Sequence, residues 1–165
     1  MATLLLVHHT PTASVQALAE AVTAGAHDPA IERVEVVVRP ALEARADDVL
    51  AADAYVLGTP ANFGYMSGAL KHFFDTIFLE AGGALADDGS AAGGGDGPAR
   101  RSKPYGLWIH GRYDTTGAVR AVQSIVGALG WTQAAPVLEI LGDVGEPQRA
   151  AAYELGATLA AHLSA

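Results

Sequence analysis

The sequence predicts a doubly wound α/β fold, an open parallel sheet with helices on both faces. Three observations carry this. Short apolar runs alternate with segments whose apolar residues recur at helical spacing, so strand and helix signals interleave along the chain. The runs are continuous rather than alternating, as expected of strands covered on both faces. Right-handed crossovers then leave few arrangements, of which the strand order 2-1-3-4-5 is one of two common solutions.

The first strand is read at Thr3 to Val7, ending at His8-His9-Thr10-Pro11-Thr12-Ala13-Ser14. Val15, Leu18, Ala19 and Val22 follow at i, i+3, i+4 and i+7, a helix that closes near Gly25. Arg33 to Arg39 is a second strand stopped by Pro40, and Ala41 to Ala52 a short, partly helical crossover. The third strand, Ala54 to Gly58, runs into the turn Gly58-Thr59-Pro60 and the small loop Ala61 to Met66. Ser67 then opens an amphipathic helix carrying Leu70, Phe73, Phe74, Ile77 and Phe78. From about 80 to 103 the text changes: seven glycines lie between Gly82 and Gly97, which predicts a flexible surface insertion. Tyr105 to His110 is the fourth strand and Gly111 to Thr116 its loop; Val119, Val122, Val126 and Leu129 mark the next helix. A fifth strand falls at Val137 to Leu141, and a last helix at about Glu146 to Leu163 with Pro147 in its first turn.

The 165 residues are expected to form one domain with a sizeable core, since half of them are apolar. A net charge of −8 argues against nucleic acid and anionic membranes as partners. With no cysteine, disulfides, thiolate nucleophiles and cysteine-ligated zinc are excluded. No apolar stretch is long enough to cross a bilayer, and no basic leader precedes TLLLV, so the expectation is a cytoplasmic protein without membrane insertion.

Function should sit where the loops after the first, third and fourth strands meet at one sheet edge. The first of these has neither the G-x-G-x-x-G of dinucleotide sites nor the G-K-S/T of a P-loop. The carboxylate cluster of a receiver domain and the cysteine of a small phosphatase are also missing. What it offers is Thr10, Thr12 and Ser14 at a helix start, where hydroxyls and unbonded N–H groups can hold a phosphate without a cation. Ordinary N-capping accounts for the same residues equally well. His8 and His9 should point to opposite sheet faces, which argues against a shared metal, and no metal site is expected.

The segment LLLVHHTPTASVQALAEAV resembles the phosphate loop of flavodoxins, with Ala13 at the family's glycine, Val15 at its last threonine and Pro11 lacking an N–H. The segment GTPANFGYMSGALKHFFDTIF is the more specific match. It resembles NAD(P)H:quinone oxidoreductases of the tryptophan-repressor-binding-protein type and NADPH-dependent FMN reductases at Gly58, Pro60, Phe63, Gly64, Met66, Ser67, Lys71, Phe73 or Phe74, and Asp75. The resemblance implies a flavodoxin-like three-layer sandwich with a five-stranded parallel sheet. It also implies FMN as cofactor, NAD(P)H as electron donor and a quinone or other small molecule as acceptor.

By the same resemblance Thr10, Thr12, Ala13, Ser14 and Val15 would hold the phosphate, and Pro60, Ala61, Asn62, Phe63 and Gly64 would flank the flavin ring. His110, Gly111, Arg112 and Tyr113 would lie near its pyrimidine edge. His110 or Arg112 would stabilise charge on the reduced ring; alternatively His110 caps the strand end and Arg112 faces solvent. Phe63 and Tyr65 could instead cover the core, and Lys71 and Asp75 read as a solvated pair. Assembly into a homodimer or homotetramer is implied. Two rival readings stand beside the reductase: an electron carrier with no substrate of its own, and a flavodoxin fold whose cofactor site has degenerated at Pro11, Ala13 and Val15.

Overall fold

A computed structural model describes residues 1–92 and 102–165. The Gly-rich insertion expected at about 80–103 therefore falls partly outside the described residues. Its described part contains a small antiparallel pair, Ala84–Leu85 and Ala91–Ala92.

Strands β1 (Ala2–His8), β2 (Val34–Pro40) and β3 (Ala54–Asn62) lie side by side, with β1 central and parallel to both. A two-residue strand, β4 (Tyr65–Met66), folds back antiparallel on β3. With Ala84–Leu85 and Ala91–Ala92 as β5 and β6, the next sheet strand is β7 (Pro104–Gly111), parallel to β3. Beyond it lie β8 (Thr132–Gln133) and β9 (Leu138–Leu141), both parallel to β7. The sequence-based order 2-1-3-4-5 is thus present, its fifth position shared by two short strands and its third strand carrying a hairpin partner. The break between β8 and β9 contains Pro136, which has no N–H to give a ladder.

Helices α1 (Ala13–Ala26) and α5 (Glu146–Ser164) cover one face of the sheet. Helices α2 (Ala46–Ala51), α3 (Gly68–Ile77) and α4 (Thr116–Ala128) cover the other. Strand β1 shows how the pleat sorts the core. Leu4 and Leu6 pack with α1 and α5, while Leu5 and Val7 pack with the opposite layer. The α1/α5 contact is close: a Cβ at Gly25 would stand 1.9 Å from the Tyr153 carbonyl oxygen, and one at Gly156 2.0 Å from that of Val22. The opposite layer is richer in rings, with Tyr55 stacked on Trp131 at 4.0 Å between centroids. Among the described residues, no helix is long and apolar enough to cross a membrane.

Strand β3 outlasts its neighbour and so builds the site. Its pairing with β1 ends at Gly58, whereas its pairing with β7 continues to Pro60 and His110. Pro60 is tolerated inside the strand because one side of the ladder is already open there. The turn expected at Gly58-Thr59-Pro60 is therefore strand, and the reversal comes four residues later.

Candidate functional site

The hairpin at the end of β3 turns on two residues, Phe63 (φ 51°) and Gly64 (φ 78°), between the pairs Asn62–Tyr65 and Ala61–Met66. Two consecutive positive φ values give the turn type that matches strand twist, for which glycine and asparagine are preferred. Phe63 is neither, and the left-handed region costs an ordinary residue about 1–2 kcal/mol. Its ring is fully exposed, so burial does not offset that cost, and Tyr65 is exposed as well. Neither aromatic covers the core.

The root of the hairpin is buried and hydrogen-bonded. The Thr59 hydroxyl accepts from the Ser67 N–H at 3.0 Å and donates to the Pro60 carbonyl at 2.9 Å. Ser67 caps α3 by accepting from the Leu70 N–H at 3.1 Å. Gly58 faces the Trp108 indole, and a Cβ there would lie 2.0 Å from it. At the tip, a Cβ on Gly117, in the first turn of α4, would stand 2.3 Å from the Gly64 carbonyl oxygen. The hairpin thus rests directly on the helix backbone.

Between this hairpin, the start of α1 and the loop after β7 lies a cleft of about 640 Å³, within the size range of cofactor sites. Thr12 and Ser14 line one end, Pro60, Ala61, Asn62, Phe63 and Gly64 one wall, and His110, Gly111, Arg112, Tyr113 and Asp114 the other. Three residues assigned from the sequence do not line it. Thr10 and Ala13 are not among its lining residues, and the Val15 side chain is fully buried in the core under α1, with its N–H bonded to the Thr12 hydroxyl. Asp114 was not anticipated.

At the α1 end, Thr12 is the N-cap, its hydroxyl accepting from the Val15 N–H at a long 3.4 Å. None of the hydrogen bonds among the described residues uses the Ala13 or Ser14 N–H, and the first turn carries no acidic side chain. A helix N-terminus with unbonded donors and two hydroxyls, free of carboxylates, suits a phosphate.

The opposite wall is tethered to the loop after β9. The His110 Nε2–H donates to the Gly142 carbonyl at 2.7 Å, which fixes one ring proton there, and the Gly142 N–H donates to the Gly111 carbonyl at 2.9 Å. Arg112 bonds Asp143 at 2.8 Å, both side chains well exposed. The buried Thr115 hydroxyl donates to Glu139 at 2.7 Å. His110 thus both ties down the strand end and lines the cleft. Asp114 accepts from the Thr116 N–H at 2.9 Å, and that backbone bond, then the Thr116 hydroxyl, holds its carboxyl below the usual carboxylate range. It is an anion at neutral pH.

His8 and His9 lie outside the cleft lining. Their Nδ1 atoms are buried without a hydrogen-bond partner, and burial first, then the neighbouring His9 charge, lowers the His8 pKa. Lys71 pairs with Asp75 at 2.6 Å on the outer face of α3, and neither lines the cleft.

The structure resembles a flavodoxin from the domain Archaea (TM-score 0.77, 18% identity, 99% of each chain). It also resembles a flavodoxin, WrbA-like protein from Agrobacterium tumefaciens (TM-score 0.71, 17% identity, 100% of each chain). At such identities the likeness is one of fold. In sequence, a flavodoxin of Aquifex aeolicus (strain VF5) is 35% identical over 92 residues, 56% of this chain and 48% of the relative. The match spans about half the length of that curated relative. Residues 12–140, from the α1 cap through both walls of the cleft to β9, match the NADPH-dependent FMN reductases, and it is to that family that the chain belongs.

Proposed function

We propose that this protein is an FMN-binding oxidoreductase that accepts electrons from NAD(P)H and delivers them to a quinone or other small acceptor. The single observation behind the reading is the cleft itself, with hydroxyls and free N–H groups at one end and a largely apolar slot at the other. FMN has the same two-part chemistry, a phosphate and a flat ring system. Thr12, Ser14 and the Ala13 and Ser14 N–H groups would hold the phosphate. The backbone from Pro60 to Gly64 and from His110 to Tyr113 would flank the ring, with the exposed rings of Phe63 and Tyr113 at the rim to exclude water.

When bound, FMN supplies the hydride and electron chemistry, so the chain need not provide an acid or base for hydride transfer. The chain's part is to bind, orient and shield. Pro11, Ala13 and Val15 depart from the flavodoxin loop, but the donors left at the α1 end come from backbone and from Thr12 and Ser14, so those departures do not remove them.

A second reading, an electron carrier that docks a basic protein partner, draws support from the flavodoxin relative and the net charge of −8. One experiment separates them. FMN is added to purified protein under anaerobic conditions, and the visible spectrum is followed as NADPH is titrated in. Bleaching of protein-bound flavin is the expected result. Bound flavin that dithionite reduces and NADPH does not would favour the carrier, and an FMN spectrum indifferent to the protein would overturn both.

A further inference from the structure

Arg112 is the only lysine or arginine among the described residues lining the cleft, and its guanidinium is already engaged by Asp143. Asp143 does not line the cleft. It is held beside Arg112 by construction, because the preceding residue, Gly142, bonds the β7 end twice, through its carbonyl to His110 and through its N–H to Gly111. These bonds set one loop against the other, which brings the exposed Asp143 and Arg112 side chains within reach of each other. The ionised Asp114 adds a second carboxylate on the same rim. The rim therefore shows an incoming anion one cation already committed to a carboxylate, and a further negative charge.

Resting on the reductase reading, we propose that Asp143, acting through Arg112, sets the preference of the site between nicotinamide dinucleotides with and without a 2′-phosphate. A 2′-phosphate adds about two negative charges to a ligand that already carries two phosphates. Arg112 is suited to grip it bidentately, but it must first leave Asp143, and Asp143 then repels the same group. Asp143 thus lowers the advantage of the phosphorylated form. Its counterpart without that phosphate makes little use of Arg112 and is nearly indifferent to the pair.

The test uses the FMN-loaded protein and direct calorimetric binding of NADP⁺ and NAD⁺. Asp143→Asn keeps the shape of the side chain and removes its charge at an exposed position, so folding is not at issue. Exposed pairs of this kind are modest, so NADP⁺ should bind about three- to fivefold more tightly to Asp143→Asn than to the wild type. NAD⁺ should change by less than about twofold, and the gain should fade in ~0.5 M salt. Adding Arg112→Gln should abolish the gain. Equal shifts for the two dinucleotides, or a gain that survives Arg112→Gln, would overturn the inference while leaving the reductase reading intact. Failure of FMN-loaded wild-type protein to bind either dinucleotide would overturn both.

Discussion

The two walls of the cleft are held in opposite ways. The hairpin wall is fixed by contacts with no slack: a buried hydroxyl network at Thr59 and Ser67, and a backbone contact between Gly64 and Gly117. The loop wall from His110 to Asp114 is tied at its root to the β9 loop by two hydrogen bonds with Gly142 and, further out, by an exposed ion pair that solvent can replace. Both walls would flank the ring, the hairpin through a buried root packed directly on α4, the loop through ties that end in an exposed pair at the rim. The difference locates the least constrained part of the cleft at the Arg112–Asp143 end, where both side chains are exposed.

The sharpest way to break this comparison is Gly117→Ala. A methyl carbon needs roughly 3.3 Å from a carbonyl oxygen, against the 2.3 Å available, so the hairpin tip must move by about 1 Å. FMN affinity, followed by quenching of flavin fluorescence, should fall by about tenfold or more, an effect of ~1.4 kcal/mol. Overpacking against backbone costs about 1–3 kcal/mol and the better helix propensity of alanine returns at most about 1, so the melting temperature should fall by a few degrees as well. Unchanged affinity would mean that the hairpin yields freely and that the contrast between walls is false.

A smaller effect is expected from the loop wall. Thr115→Val keeps the shape and removes the hydroxyl that bonds Glu139, at a cost of about 1 kcal/mol. For a chain of this size the melting temperature should drop by about 2–4 °C. FMN affinity should weaken by no more than about threefold, because solvent and the His110 and Arg112 ties keep the loop near its place. A loss as large as that of Gly117→Ala would make the two walls equivalent.

Much of the fold was legible because burial on both faces writes itself as apolar runs, and the strand order follows from chirality. What sequence reading displaced were local features decided by neighbours. Pro60 reads as a turn signal, yet it sits in β3 because β1 has already ended at His8, opposite Gly58. The fifth strand read at Val137 to Leu141 is present as Leu138–Leu141, whereas the two-residue strand Thr132–Gln133 before Pro136 is polar and has no apolar run to mark it. Of the site, both wall segments follow from the family resemblance, which also implies Val15 by motif position, while its side chain answers to helical periodicity and enters the core. Asp114 had a usable signal, an Asp two residues before a helix start, which commonly bonds the N–H beyond it. The Gly117–Gly64 contact and the Arg112–Asp143 pair had none, since each joins segments far apart in the chain.

The central claim is that the α1 end of the cleft holds a phosphate with hydroxyls and main-chain N–H groups. Its most direct measurement is the affinity of the protein for FMN against riboflavin, which differ only by that phosphate, repeated with Thr12→Ala and Ser14→Ala combined. Wild-type protein should prefer FMN by at least about thirtyfold, as expected of a few charge-assisted hydrogen bonds, and the double variant should lose most of that preference while still binding riboflavin. Equal affinity of the wild type for the two flavins, or a preference the double variant keeps intact, would contradict the account.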